Sequence, residues 1–357
     1  MNVLFVTTGL GIGGAERALC LLANNLCDNH KFNVTIYNLG AGNEFTAELS
    51  PGVHLISNDG KFWRLIQALI MVRNTPQLTI VGWMYHGNLI ATMLKLIAPK
   101  KRLILNVRQT YSIGQTEKIR TKVIIRLVGL ASHIATFTAF NCSKSVIDHI
   151  KLGYNSKNKK VIYNGFKVSK GLLKNSLNSK DVRIGHLARF HPMKNHLGFI
   201  SAVVELMRFN PNVMVVMGGL NVDEENNQLL QNIPVEFRSQ FRLLGVLETE
   251  TIDKFFESID FFCLSSKWGE GFPNVIGEAM ASGVPCIAND VGEAKHAIGD
   301  TGWIADKETS LVKCLKKATS IDESSYRALS EKAQTRIRNQ FSEKLFINSF
   351  REMLTLE

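Results

Sequence analysis

Short runs of consecutive apolar residues alternate with longer helix-like stretches along almost the whole chain. In the first half the apolar runs occupy residues 2–8, 32–38, 53–57, 78–82, 102–107 and 133–137, and helix-like stretches fill 15–27, 61–73, 87–98, 117–130 and 143–150. Strands that are apolar on both faces are typical of parallel sheets covered by helices. The pattern therefore predicts an α/β protein with a parallel, doubly wound sheet.

The alternation stops at a polar, basic segment, residues 154–180, and then restarts. Further apolar runs lie at 182–187, 213–218, 241–245, 259–264 and 284–288, with helical stretches at 195–208, 250–257 and 273–281 and a continuous helical tail over 323–356. A chain of 357 residues is also long for a single core. We therefore predict two domains, residues 1–165 and 180–340, with residues 341–357 forming a final helix.

Positive charge is concentrated in the first half of the chain. The net charge is +11, and between Lys95 and Arg126 nine Lys or Arg residues accompany one acid, Glu117. An anionic membrane, nucleic acid and a simply solvated surface compete as explanations. No nucleic-acid motif and no interleaved aromatic residues occur, so we expect no nucleic-acid partner. The stretch 61–73 has an apolar face with basic flanks, which suits either a membrane surface or packing on a sheet.

Three sequence patterns set limits on the kind of protein. No uninterrupted apolar run is long enough for a transmembrane helix, and the N-terminus lacks the basic segment of a signal peptide. The six cysteines show no C-x-x-C spacing, which predicts buried, reduced thiols in a cytoplasmic protein. No His/Cys cluster has metal-ligand spacing, so we predict neither a metal nor another cofactor.

A strand, a Gly-rich turn, a helix and a second strand follow one another between residues 259 and 290. Glu270 lies in the turn, Pro273 fits the first helical turn, and Glu278 follows in the helix. The positive N-terminal end of a helix beside two carboxylates suits a ligand that carries both an anionic group and hydroxyls. A nucleotide sugar is such a ligand.

The sequence EGFPNVIGEAMASGVP, residues 270–285, resembles the E-x7-E signature of the family 4 retaining glycosyltransferases of the GT-B fold. The resemblance implies two Rossmann-like doubly wound domains facing across a cleft, with the C-terminal helix crossing back to the first domain. It implies that Glu270 lies near the hydroxyls of the donor sugar and that Glu278 holds the nucleotide ribose. The turn between them is then also part of the donor site: Gly271, Phe272, Pro273, Asn274 and Val275.

Two cations, Arg189 and Lys194, follow the strand predicted at 182–187 and precede a helix. Open α/β sheets bind ligands at this end of their strands. Two cations five positions apart across a turn can flank a diphosphate and stabilise the charge on a departing nucleotide. They resemble the R-x4-K signature of the same family, which implies that both bind the donor diphosphate.

The first strand leads into a glycine loop, residues 9–14. The loop formally satisfies G-x-G-x-x-G, but a dinucleotide site also needs an acid at the end of the second strand, where this chain has Asn38. The run GGAER instead resembles the N-terminal loop of the glycosyltransferase family. We therefore predict that Gly13 and Gly14 bind the donor and that Glu16 binds the acceptor; a purely structural tight turn is the alternative.

The loop after the strand 78–82 contains Tyr85 and His86. The resemblance implies a histidine here that contacts the donor sugar, whereas an ordinary surface or core histidine is the alternative. Tyr85 and Arg108, each at a strand end, are predicted to line the acceptor side. The predicted catalytic residues are thus Glu270, Arg189, Lys194 and His86.

The resemblance implies a retaining hexosyltransferase, and we expect it to be metal-independent. The donor would be a nucleotide sugar, with a UDP-sugar favoured, and the acceptor a lipid-linked oligosaccharide of O-antigen, capsule or lipopolysaccharide assembly. The enzyme would be cytoplasmic and peripheral on the anionic inner face of the plasma membrane. Two alternatives remain: an NAD-dependent oxidoreductase that uses the loop 9–14, and a non-catalytic nucleotide-sugar-binding protein.

Overall fold

The computed structural model describes residues 1–11, 13–30, 32–40, 44–57, 62–111, 119–168 and 181–356. Contacts divide the chain into two compact units, Met1–Gly165 with Glu343–Glu357, and Phe166–Ser342. Residues 169–180, which include the start of the predicted second domain, lie outside the described residues.

The first unit is built on a seven-stranded sheet in which every neighbouring pair is parallel. Its strands are β1 (Asn2–Thr7), β2 (Asn33–Asn38), β3 (His54–Ser57), β4 (Leu78–Trp83), β5 (Arg102–Val107), β6 (Phe137–Phe140) and β7 (Lys159–Val161). They follow the order β3-β2-β1-β4-β5-β6-β7. The predicted parallel α/β architecture is confirmed for this unit.

Helices cover both faces of the first sheet. They are α1 (Gly14–His30), α2 (Phe62–Asn74), α3 (Met84–Ile97), α4 (Ile119–Ala131) and α5 (Ser143–Lys151). Alternate residues of β1 enter two separate apolar clusters: Phe5 packs with residues of α1, whereas Val6 packs with residues of α2, α3 and α4. Burial on both faces explains why the strands read as continuous apolar runs.

The second unit contains a six-stranded parallel sheet in the order β10-β9-β8-β11-β12-β13. Its strands are β8 (Val182–Leu187), β9 (Val213–Gly218), β10 (Phe241–Leu243), β11 (Phe261–Leu264), β12 (Cys286–Asn289) and β13 (Gly302–Ala305). Its helices are α6 (His196–Met207), α7 (Asn227–Asn232), α8 (Thr249–Glu257), α9 (Asn274–Ala281), α10 (Ala294–Ile298), α11 (Leu311–Thr319) and α12 (Glu323–Gln340).

The last helix, α13 (Glu343–Thr355), packs in the first unit. Phe350 is fully buried there, with its ring 5.7 Å from that of Trp83. Arg102 in β5 donates hydrogen bonds to the last carbonyls of the helix, at 2.7 Å to Leu354 and 3.1 Å to Met353. These bonds satisfy C-terminal carbonyl groups that lack partners within a helix.

The prediction of one continuous helix over 323–356 was wrong. The helix is interrupted at Phe341 and Ser342, between α12 and α13. The ring of Phe341 packs 5.0 Å from that of Phe272, and its carbonyl accepts from the Phe166 amide at 2.8 Å. These tertiary contacts hold Phe341 outside a helix although the amphipathic pattern continues.

The strand predicted over 133–137 was also misplaced, because β6 begins only at Phe137. The amides of His133 and Ile134 donate to Leu130 and Ala131 at 3.1 Å, which continues the turns of α4. Ile134 is 47% exposed, so this part of the apolar run is not buried as a strand would be.

Each sheet has one place where successive crossovers change direction. In the first sheet it lies between β1 and β4, and in the second between β8 and β11. In open α/β sheets, ligands bind beside the carboxyl ends of the strands at such switch points. In the described part of the chain, no helix is long and apolar enough to cross a membrane.

Candidate active site

The loops that leave β8 and β11 are bonded to each other at the second switch point. The Lys267 amide donates to the Met193 carbonyl at 2.8 Å, and the Ser265 hydroxyl donates to the Lys194 carbonyl at 2.8 Å. From the end of β12, the side-chain amide of Asn289 donates to the Ser265 carbonyl at 2.8 Å. The loop that carries the predicted cations is thus held against the loop that carries the predicted carboxylate.

Lys194 and Glu270 form an ion pair across this junction. The Lys194 Nζ lies 2.5 Å from Glu270 Oε1, and the Ser266 hydroxyl donates to the same oxygen at 2.6 Å. The side chains are only 17% and 9% exposed, so water screens their attraction poorly. The structure therefore brings together two residues that the sequence places 76 positions apart.

Two buried histidines lie under the Lys194 loop. His186 Nε2 is 3.1 Å from the Ser265 hydroxyl oxygen, and His196 Nε2 is 3.0 Å from the Ala188 carbonyl. Burial lowers the pKa of His196 to about 4 and also lowers that of His186, so both are neutral near pH 7. Because the Ser265 hydroxyl donates to Lys194, His186 acts as donor to Ser265.

Aromatic packing fixes the start of α9. Phe272 stacks on Phe166 at 5.6 Å between ring centroids. Pro273 is extended, with φ −76° and ψ 104°, and directly precedes the helix. A Cβ on Gly277 would overlap the Phe166 ring, so only glycine lets the helix approach this closely. The first N–H groups of α9 are therefore held in a fixed position, where they favour an anion.

The remaining donor-site residues of the second unit border this arrangement. Arg189 is exposed just after β8. Glu278 is partly buried one turn into α9, and so are Asn274 and Val275 at its start. Gly271 accepts a hydrogen bond from the Glu293 amide at 3.0 Å, which ties the turn to the segment after β12.

In the first unit, the predicted glycine loop leads into α1. The carbonyl of Gly13 accepts from the Arg17 amide at 3.0 Å, and the Glu16 carboxylate lies against Gly13. Burial raises the pKa of the Glu16 carboxyl above its usual value. Gly14 is exposed at the start of the helix. The loop and Glu16 thus form one local structure at the end of β1.

The end of β4 presents His86 and buries Tyr85. Met84 has a positive φ of 62°, and the chain enters α3 directly. His86 is exposed, whereas Tyr85 is 4% exposed. The Tyr85 hydroxyl lies 2.6 Å from Nε2 of buried His149. This contact gives Tyr85 a packing role; acceptor binding by Tyr85 stays a prediction.

Arg108 is a buried cation at the end of β5. Its guanidinium lies 5.1 Å from the Trp83 ring centroid and 5.5 Å from that of Phe346, and it donates to the Asn164 side chain. Burial lowers its pKa to about 9, which still leaves it charged at neutral pH. The aromatic faces partly compensate a charge that would otherwise be costly to bury.

The structure thus places the predicted residues after β8 and β11 in the second unit and after β1, β4 and β5 in the first. Sequence reasoning missed the residues that hold the Lys194 loop in place, namely Ser265, Ser266, Asn289, His186 and His196. The positions of Ser265, Ser266 and Asn289 at strand ends were the available signal. Among the described residues, no group of three or more His, Cys, Asp or Glu side chains could hold a metal ion.

The second unit matches a known protein family. Residues 172–336 match the family model described as glycosyl transferases group 1. The second unit is a group 1 glycosyl transferase domain. The resemblance found in residues 270–285 is therefore confirmed, and both Glu270 and Lys194 lie within the matched segment.

Relatives of this glycosyl transferase domain match over different lengths. The amylovoran biosynthesis glycosyltransferase AmsD of Erwinia amylovora is 24% identical over 321 residues, which cover 87% of each chain. EpsF of Bacillus subtilis (strain 168) is 36% identical over 110 residues, which cover 30% of this chain and 27% of EpsF. The Escherichia coli UDP-Gal:alpha-D-GlcNAc-diphosphoundecaprenol alpha-1,3-galactosyltransferase is 32% identical over 108 residues, 29% of this chain and 27% of that protein.

The whole chain resembles a solved structure of similar length. Anabaena Alr3699/HepE in complex with UDP and glucose superposes with a TM-score of 0.80 at 20% identity, covering 99% of each chain. At this identity the likeness shows the fold alone. Together with the two parallel sheets, it confirms the predicted GT-B fold.

Proposed function

We propose that the protein is a retaining glycosyltransferase that moves a sugar from a UDP-sugar to a hydroxyl group of a lipid-linked saccharide. The observation that carries the proposal is the Lys194–Glu270 pair at the β8/β11 switch point of a group 1 glycosyl transferase domain. A cation and a carboxylate fixed side by side match the two parts of a nucleotide sugar, its diphosphate and its sugar hydroxyls.

Lys194 can bind a diphosphate without leaving Glu270. An ammonium group has three N–H donors, and Glu270 Oε1 uses one of them. Arg189 supplies a second cation on the same loop, and the N-terminus of α9 adds a partial positive charge. These groups would stabilise the negative charge that develops on the departing UDP.

The carboxylates would bind hydroxyls on either side of the diphosphate. Glu270, held in place by its contact with Lys194, would accept hydrogen bonds from the donor sugar. Glu278, which lies about one turn into α9, would accept a hydrogen bond from a ribose hydroxyl of the nucleotide. UDP is the nucleotide we favour, and the UDP complex of the similar HepE structure supports that choice.

The reaction would break the bond between the anomeric carbon and the UDP phosphate oxygen and form one to the acceptor oxygen on the same face. The acceptor hydroxyl proton would pass to the departing phosphate, so no separate strong base is required. Transfer without a metal ion remains part of the proposal, with Arg189 and Lys194 taking over charge stabilisation.

The acceptor would bind to the first unit, at the ends of β1, β4 and β5. The predicted acceptor residues Glu16, Tyr85 and Arg108 lie there, and His86, predicted to contact the donor sugar, follows Tyr85. The E. coli relative's name includes a diphosphoundecaprenol acceptor and that of AmsD includes amylovoran biosynthesis, which supports a lipid-linked acceptor in surface polysaccharide assembly. The protein would then act at the inner face of the plasma membrane, from the cytoplasm.

A thermal-shift panel of UDP, GDP, ADP and NADH tests the donor site. At a hundredfold excess over Kd a ligand stabilises the folded state by about 2.7 kcal/mol, which corresponds to a rise of roughly 5–10 °C in Tm. We expect this rise with UDP, and its loss in Arg189→Ala and Glu278→Ala. Arg208→Ala and Glu331→Ala, exposed on the same unit, are matched controls that should keep it.

Turnover is measured separately, as transfer from a radiolabelled UDP-sugar to a polyprenyl-diphosphate-linked saccharide. Stabilisation by NADH alone would contradict the proposal in favour of an oxidoreductase. UDP binding with no transfer to any lipid-linked acceptor would favour a non-catalytic binding protein.

A further inference from the structure

Helix α4 carries a second apolar stripe besides the one that packs on the first sheet. Its inward side includes Ile125 and Val128, which are buried. The outward side presents large aliphatic residues that are 44–80% exposed: Ile119, Val123, Leu127 and Leu130. At about 100° per residue, these four positions fall within an arc of roughly 80°. A helix face in contact with water normally carries polar residues instead.

Exposed cations border this stripe on both sides. Arg120 lies roughly 20° beyond one edge, and Arg126 and Lys122 lie roughly 20° and 60° beyond the other, by the same helical geometry. Long basic side chains can lay their aliphatic stems along an apolar surface while the charges stay in a polar layer. An apolar stripe with basic edges is the pattern of helices that lie in a membrane interface.

Helix α3 enlarges the apolar surface. Met93, Leu96 and Ile97 are 52%, 66% and 46% exposed, and their spacing places them on one helix face. Helices α3 and α4 contact each other and pack on the same face of the sheet, so their outward sides point away from it together. We call these three residues, together with the apolar stripe of α4 and the three cations beside it, the α3–α4 surface.

The charge on the two helices has one sign. Every Lys, Arg, Asp or Glu residue of α3 and α4 is a cation, namely Lys95, Arg120, Lys122 and Arg126. We infer that the α3–α4 surface docks the first unit onto a bilayer that contains anionic lipids. The inference rests on the proposed function, because it would bring the acceptor-binding unit to the membrane that holds a lipid-linked acceptor.

Charge also argues against a second copy of the chain as the occupant. A two-fold contact through this face would bring Arg120, Lys122 and Arg126 of one copy against the same residues of the other. Nucleic acid is a poor match too, because exposed aliphatic residues offer no stacking platform for bases. An anionic bilayer satisfies both the cations and the apolar stripe between them.

Co-sedimentation with vesicles tests the inference on the full chain. The vesicles are phosphatidylcholine alone, or phosphatidylcholine with phosphatidylglycerol. The apolar variant is Val123→Ser/Leu127→Ser, and its control is Val235→Ser in the second unit, where Val235 is 74% exposed. The charge variant is Lys122→Gln/Arg126→Gln, and its control is Lys332→Gln, exposed on α12.

We expect the wild type and both controls to bind the phosphatidylglycerol vesicles, and to bind less at higher salt. The apolar variant should lose at least roughly tenfold in partitioning, and the charge variant roughly thirtyfold, about fivefold per cation. All variants should keep the wild-type Tm and UDP response, because the altered side chains are exposed. Transfer to a vesicle-embedded acceptor should fall, while transfer to a short-chain soluble acceptor should not.

Two results would overturn the inference. One is vesicle binding that the apolar and charge variants leave unchanged, or that the wild type itself lacks. The other is a wild-type dimer in light scattering that Val123→Ser/Leu127→Ser dissociates, which would assign the surface to self-association. Normal vesicle binding without any UDP response would contradict the proposed function and leave the docking surface standing.

Discussion

Removing one member of the Lys194–Glu270 pair should destabilise the second unit strongly. In Lys194→Met, the Glu270 carboxylate keeps the Ser266 hydroxyl but loses its cation, at a site where its side chain is only 9% exposed. Breaking a buried pair costs about 3–5 kcal/mol. Lys194 is 17% exposed, which lets water compensate in part. We therefore expect a loss of about 3 kcal/mol and, at 2–4 °C per kcal/mol, a fall of roughly 6–12 °C in Tm.

The matched double variant separates charge from packing. Lys194→Met/Glu270→Gln carries no buried charge at the pair, and the glutamine amide can still hydrogen-bond to Ser266. Its Tm should lie close to that of the wild type, because most of the single-variant loss comes from an unpaired carboxylate. Differential scanning fluorimetry of the four proteins gives the coupling, which we expect to be at least about 3 kcal/mol, the loss in Lys194→Met that the second substitution recovers.

Ligand-binding measurements distinguish the role of Lys194 from that of Glu270. Lys194→Met should abolish the UDP-induced rise in Tm, whereas Glu270→Gln should keep it and lose sugar transfer. Additive Tm losses in the double variant would refute the argument that the two residues depend on each other. A UDP response that survives in Lys194→Met would refute diphosphate binding by Lys194.

Two further predictions concern residues away from this pair. Burial lowers the pKa of His149 to about 4, and its Nε2 accepts from Tyr85. The contribution of neutral His149 to the free energy of unfolding is therefore fully present above about pH 6.5, the pKa of histidine in the unfolded chain. At pH 5 this contribution is smaller by about 2 kcal/mol. Between pH 7 and pH 5 the urea midpoint should fall more for the wild type than for His149→Phe. An equal fall in both proteins would contradict this prediction. Gly277→Ala should lower Tm by roughly 3–10 °C, because the new Cβ would overlap the Phe166 ring and overpacking costs about 1–3 kcal/mol. The double variant Gly277→Ala/Phe166→Leu should recover part of this loss. An unchanged Tm in Gly277→Ala would contradict the prediction.

The repeating pattern of buried strands and helices was readable from the sequence because both faces of each sheet are covered. β1 and β4 illustrate this, since five or more consecutive residues of each are buried. The errors occurred where tertiary contacts decide the backbone. Phe341 interrupts an amphipathic tail because its ring and carbonyl are engaged by Phe272 and Phe166. Ile134 looks like strand but follows the turns of α4.

The candidate site was predictable to the level of loops and not of contacts. Arg189, Lys194 and Glu270 were identified because they follow buried strands, where parallel sheets bind ligands. Lys194 and Glu270 are in contact because β8 and β11 are neighbouring strands. The order of strands in a sheet cannot be predicted from the local sequence. The same holds for Ser265, whose role depends on the Lys194 carbonyl 71 positions away.

The positions of the two switch points explain why candidate ligand-binding segments could be identified from the sequence alone. At a switch point the connections from adjacent strands leave in opposite directions, so the two loops are not covered by each other's helices. In the second sheet these loops carry Lys194 and Glu270, and in the first sheet Glu16 and His86 lie in the first turns of the helices that follow β1 and β4. The residues predicted to bind a ligand therefore lie mostly at these four strand ends, while the α3–α4 surface lies on α3, which packs beside β4 and β5, and on α4, which packs against α3. His86 lies in the first turn of α3, whereas Met93, Leu96 and Ile97 lie towards its C-terminal end. Substitutions on the α3–α4 surface should therefore change where the enzyme works and leave its UDP response intact.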